Sequence, residues 1–117
     1  LVDHPSAAVV MDNNSFHLYA DKMAPGGVFI MDSSIVKEEV KDNDIRVIKV
    51  PATELAKELG SDQAANFVLL GVYLKAEGPL PLETVIKGLS EKMRNDGKEK
   101  FIELNTTALR KGWDFLS

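Results

Sequence analysis

Few residues in this chain carry chemistry, and most of them sit just after apolar runs. Asp32-Ser33-Ser34 follows Val28-Phe29-Ile30-Met31, and Asp12-Asn13-Asn14-Ser15 follows Ala7-Ala8-Val9-Val10-Met11. A continuous apolar run closed by turn residues reads as a strand buried on both faces. Open α/β sheets place ligands beyond the carboxyl ends of such strands. Asp32, Ser33 and Ser34 are therefore candidates to hold a ligand or a partner loop through a carboxylate and two hydroxyls. Asn13 occupies the equivalent position after the first strand. The plainer readings are a turn for Asp32-Ser33-Ser34, and a helix cap for the Asp12–Ser15 cluster.

His17 has Asp21 four residues on, a spacing that on a helix could orient an imidazole for acid–base work. A solvent-exposed helical His accounts for it equally well. His4 supports no argument. Pro25-Gly26-Gly27 precedes a strand, the reverse of the strand–glycine–helix order that aims amides at phosphate. No P-loop, dinucleotide fingerprint, HExxH or GxSxG pattern is present. The residues offer no catalytic constellation and no metal ligand set.

The elements that must position these residues can be placed from spacing. Phe16, Tyr19, Ala20 and Met23 predict a short helix over 15–23, capped by Asn13, Asn14 or Ser15 and stopped by Pro25-Gly26-Gly27. Ile45, Val47, Ile48 and Val50 predict a third strand ended by Pro51. Lys37 to Asp44 reads as a solvated loop. Thr53 to Leu59 and Ala64 to Glu77 predict helices. The second is apolar around most of its circumference and should be buried on several sides. Gly71 within it costs about 1 kcal/mol relative to Ala, which close approach of another backbone would offset. Asn66 and Asn105 are expected to be partly buried, bonding backbone or reaching a subunit interface. Leu82, Val85, Ile86, Leu89 and Met93 predict the clearest amphipathic helix, with a Glu83–Lys87 pair on its wet side. Asn95-Asp96-Gly97 is a turn, and a last helix covers 99–115.

Composition narrows the classes of function. The chain has 117 residues, 14 Lys+Arg against 18 Asp+Glu, and 44% hydrophobic residues. That is a globular balance of one-domain size. Cys is absent, so these residues form no disulfide, thiolate metal site or cysteine nucleophile. An acidic chain without a basic stripe is a poor partner for nucleic acid. No apolar run approaches the roughly 20 residues that span a bilayer. With no visible signal peptide, a cytoplasmic location is expected.

The order β-α-β-β-α-α-α-α predicts an α/β fold: a Rossmann-like three-layer domain with a mostly parallel sheet and a helix-rich C-terminal half. Three strands make a narrow sheet. The chain begins without Met, and its first apolar run follows within a few residues. The expectation is that further strands lie N-terminal to Leu1 and that residues 1–117 are the C-terminal part of a single domain.

Four groups of residues, in order, carry a resemblance. They are Asn13 and Ser15 with Pro25-Gly26-Gly27 and Asp32-Ser33-Ser34; Val50-Pro51-Ala52-Thr53-Glu54 with Ala56, Leu59 and Gly60; Asn66 with Leu70-Gly71; and Asn105, Ala108, Leu109 and Gly112. Together they resemble the C-terminal part of the gamma subunit of 2-oxoacid:ferredoxin oxidoreductases, the pyruvate, 2-oxoisovalerate and 2-oxoglutarate enzymes among them. The resemblance implies a non-catalytic, structural subunit beside alpha, beta and delta-type subunits. It implies a complex that oxidatively decarboxylates a 2-oxoacid, forms acyl-coenzyme A and reduces ferredoxin. Thiamine diphosphate, Mg2+ and 4Fe–4S clusters would belong to the partner subunits, with no cofactor bound by this chain alone. The glycine-rich GxGGQG turn that opens family members is absent here, so no ligand role of that turn carries over. A stand-alone small-molecule-binding α/β module, using the Asp32 edge, is the alternative.

Overall fold

A computed structural model describes residues 6–41, 44–78 and 80–116. His4 lies outside them, as do residues 42 and 43 of the charged loop. The element order is β1 (Ala7–Val10), α1 (Asn13–Tyr19), β2 (Val28–Asp32), β3 (Arg46–Val50), α2 (Ala52–Glu58), α3 (Ala65–Glu77), α4 (Leu82–Asn95) and α5 (Ile102–Phe115). Short 3-10 turns, Asp62–Ala64 and Glu99–Phe101, lead into α3 and α5. The fold class is α/β, with three parallel strands and five α-helices among the described residues. The chain divides after Pro51 into two units.

The first unit holds the sheet, in the order β1-β2-β3. Both pairings are parallel, with Phe29 opposite Ala8 on one side and Val47 on the other. Among the described strands only β2 has a neighbour on each side, and all five of its residues are buried. β1 departs from the expectation of burial on both faces: Val9 is 42% exposed. Among the described strands it is an edge, paired on one side alone. Phe29 and Met31 pack with Val10, Phe16, Met23, Val36 and Ile45 into one core. Phe16 meets Phe29 edge-to-face, ring centroids 5.6 Å apart, the geometry that aromatic quadrupoles favour.

α1 starts two residues earlier than its spacing predicts and ends at Tyr19. The cap is Asp12, whose Oδ1 accepts from Ser15 N at 2.7 Å, so Asn13 and Asn14 fall inside the helix. Met23 is buried from the turn beyond it. Among its described residues the link from β2 to β3 contains no helix. Val36 and Ile45 anchor its two ends in the core, while Lys37, Glu38, Glu39 and Lys41 are exposed.

The second unit is helical and is organised by α3 against α5. Val68, Leu69 and Val72 of α3 are fully buried, as are Ala108 and Leu109 of α5. A Cβ on Gly71 would collide with the Leu109 carbonyl oxygen and lie 2.9 Å from Trp113 N. A Cβ on Gly112 would collide with the Val68 carbonyl oxygen and lie 3.0 Å from Val72 N. The expected close approach at Gly71 is thus present and reciprocal: each glycine admits the other helix's backbone. Lys75 Nζ lies 4.7 Å from the Trp113 ring centroid and ties the same two helices. Glu83 does not pair with Lys87, as its spacing predicts. Its carboxylate takes a two-pronged bond from Arg110 of α5, at 2.7 and 3.2 Å. A bidentate guanidinium is the better partner, and it lies beyond the reach of any local rule.

Candidate functional site at the carboxyl edge of the sheet

The parallel register sets the carboxyl ends of three adjacent strands along one edge of the first unit. Val10 lies opposite Met31, and Asp32 lies opposite Val50. Asp12 and Asn13 follow the first strand there, and Ser33 and Ser34 follow the second. The sheet thus brings the predicted site residues to one edge, where the fold rule places ligands.

Asp32 ends the central strand and is 1% exposed. Its Oδ1 accepts from Ser34 N at 3.0 Å. Its carbonyl accepts from Ile35 N at 3.1 Å and from Val36 N at 2.8 Å. Ser33 N donates to Val50 O at 2.9 Å, carrying the ladder one residue past the strand. Ser33 O accepts from Lys37 Nζ at 2.7 Å. Asp32 therefore builds the turn that presents Ser33 and Ser34, both half-buried. A short carboxylate bonding the amide two residues on is the usual way Asp stabilises such a turn. Chemically, the segment carries two hydroxyls on a turn held by backbone hydrogen bonds, with the buried carboxylate supporting that turn.

Asn13 is exposed in the first turn of α1. Asp12 beside it is held below the ordinary 3.8 of an aspartate, first by the backbone hydrogen bond from Ser15. His17 is exposed and edge-on to Phe16. Asp21 lies past the end of α1, and the carboxylate that approaches the imidazole is Glu38, 3.9 Å from Nε2. The pairing that an acid–base reading requires is not formed.

Gly26 turns with φ +76° and donates its amide to Asp44 O at 2.9 Å. Gly27 donates to Ala24 O at 3.0 Å. Both amides are engaged by carbonyls at the end of the sheet away from Asp32, in keeping with a turn and not an anion cradle. Among the described residues no group of three or more His, Asp or Glu side chains could hold a metal ion. None of their helices is long and apolar enough to cross a membrane.

Of the two helical asparagines expected to be partly buried, Asn105 is and Asn66 is not. Asn66, expected to be partly buried, is exposed on the first turn of α3. Asn105 is half-buried on α5, and it donates to Met93 Sδ at 3.8 Å instead of to backbone. It lines a groove of about 410 Å³ in the helical unit. A lone Asn among the apolar positions of a helix is the signal that singles out Asn105, whereas the groove is made by residues far apart in sequence.

Residues 1–115 match the family model described as pyruvate ferredoxin/flavodoxin oxidoreductase. The chain is 35% identical over 121 residues to ketoisovalerate oxidoreductase subunit VorA of Methanothermobacter marburgensis, covering 97% of this chain and 23% of the relative. Its fold is similar to the gamma subunit of a keto/oxoacid ferredoxin oxidoreductase from Geobacter sulfurreducens. There the TM-score is 0.82 at 24% identity, covering 93% of this chain and 62% of that one. It is also similar to a 2-oxoglutarate:ferredoxin oxidoreductase from Magnetococcus marinus, TM-score 0.80 at 23% identity, covering 96% of this chain and 20% of that one. The chain thus spans under a quarter of the length of the curated relative. With nearly every residue inside the match, the chain belongs to the pyruvate ferredoxin/flavodoxin oxidoreductase family.

Proposed function

We propose that this chain is a gamma-type part of a 2-oxoacid:ferredoxin oxidoreductase, serving assembly and not catalysis by itself. The observation that carries the reading is 35% identity to a ketoisovalerate oxidoreductase subunit along 97% of the chain. In this reading the complex decarboxylates a 2-oxoacid, transfers the acyl group to coenzyme A and passes electrons to ferredoxin. Thiamine diphosphate, Mg2+ and iron–sulfur clusters reside on alpha, beta and delta-type partners. The absence of Cys from these 117 residues suits that division, since cluster thiolates must come from elsewhere. The complex operates in the cytoplasm, and the chain is the C-terminal part of its domain. The Asp32–Ser34 loop and Asn13 face a ligand or a partner loop at the carboxyl edge of the sheet.

Anaerobic affinity purification from the native source, followed by mass spectrometry, tests this. The expected result is co-purification with thiamine-binding subunits and 2-oxoacid-dependent, coenzyme A-dependent reduction of ferredoxin, with 2-oxoisovalerate the first substrate to assay. Recovery as a monomer without such activity overturns it. The stand-alone binding module has weaker footing, because Asp32 Oδ1 already serves the turn.

A further inference from the structure

The groove in the helical unit has an apolar floor of Phe67, Leu89, Met93, Phe101 and Leu104. Its volume, about 410 Å³, falls within the range of small-molecule pockets, roughly 300–1,000 Å³. Two polar groups on its wall have unused capacity. The Asn105 amide has one hydrogen bond among the described residues, to the Met93 thioether at 3.8 Å, and sulfur is a weak acceptor. The half-buried amide therefore keeps donor capacity for a stronger acceptor. Lys98, exposed on the lining, has no ion-pair partner among the described residues, whereas Lys92 of the same lining is paired with Asp96 at 3.1 Å. The lining thus carries one uncompensated positive charge on a chain of net charge −4.

We propose that this groove binds a small amphipathic monoanion: a carboxylate carried on a branched or aromatic body. The body lies on Phe67, Met93 and Phe101. The carboxylate accepts from the Asn105 amide and from the Lys98 ammonium, replacing the sulfur contact with a charge-assisted hydrogen bond. The match is chemical on both sides, since the floor admits apolar carbon while the Lys98 ammonium, which can only donate, and the Asn105 amide N–H both favour an anionic acceptor. The site lies entirely within the helical unit and does not depend on the assembly reading.

Calorimetric titration of the protein as it purifies, alone or in its complex, with hydrocinnamate as probe and hydrocinnamyl alcohol as the uncharged control tests the proposal. Saturable binding of the acid, with the alcohol about tenfold weaker, is expected. Asn105→Ala should weaken the acid about tenfold, the lower end for a hydrogen bond to a charged group, and Lys98→Gln at most about fivefold, the upper end for an exposed ion pair. Lys98 is exposed, so its variant keeps the test valid if Asn105→Ala loosens α5. Neither variant should alter co-purification, so failure here is distinguishable from failure of the assembly reading. Equal binding of acid and alcohol, wild-type affinity in both variants, or no heat of binding because another subunit already fills the groove would each overturn the proposal.

Discussion

The two units keep their interiors by different means. In the first, a central strand is enclosed by side chains: Phe29, Ile30 and Met31 are each 1% exposed or less. In the second, the key contact has no side chain at all. Gly71 and Gly112 let the backbones of α3 and α5 touch, and a single carbon at either would meet a carbonyl. A side-chain core fails when atoms are removed, whereas a backbone contact fails when atoms are added.

The sharpest way to break that contrast is to delete from the first and add to the second. Phe29→Ala should cost about 3–5 kcal/mol, through lost burial and the cavity left behind. Urea denaturation gives the magnitude, and amide exchange at β2 localises it. A loss below about 1 kcal/mol would mean the strand is not the centre of its unit.

Gly112→Ala should cost about 2–3 kcal/mol by overpacking a rigid backbone. The control is Gly88→Ala on α4, where an added carbon meets nothing within 4 Å. It should instead gain about 1 kcal/mol from helix propensity. Opposite signs from one chemical change would establish that space, not propensity, chose Gly112.

Within the first unit, Asp32→Ala should cost about 1–3 kcal/mol by leaving the Ser34 amide without its acceptor. Asp32→Asn retains a side-chain oxygen and should cost less. If Asn proves as damaging as Ala in both thermal melts and subunit pull-down, the carboxylate charge itself matters at this edge.

The smallest effect concerns pH. Asp12 and Glu83 are both held below their ordinary values, Asp12 by the Ser15 backbone amide and Glu83 by the hydrogen bond from Arg110. A lowered folded value means stability that is present above the unfolded value and lost as pH falls through the folded one. The difference in urea midpoint between the parent protein and Asp12→Ala should therefore shrink from pH 7 to below pH 3. Glu83→Gln should show the same narrowing, starting from pH values just above 4.5. A difference that persists unchanged in acid would assign both effects to packing.

Much of the architecture is legible in the residues themselves. Val28–Met31 reads as a buried strand because all its residues are apolar, and Leu82–Met93 reads as a helix because its spacing repeats. Pro51, Gly78 and Gly97 mark the ends of elements for local backbone reasons. The candidate site was legible as a place, since Asp32-Ser33-Ser34 must follow a strand. It was not legible as a role, because whether Asp32 turns toward a ligand or toward the Ser34 amide depends on where the next residues go.

Residue order alone determined the strands, the helices, the βαβ crossover and the family, because each rests on local periodicity or on groups of residues at fixed spacing. Tertiary structure alone decided that Val9 on β1 is exposed, that Arg110 takes Glu83 from Lys87, that Gly112 mirrors Gly71, and that Asn105 meets a sulfur in an apolar groove. Those are contacts between residues far apart along the chain, and their energies depend on distances that no spacing rule encodes.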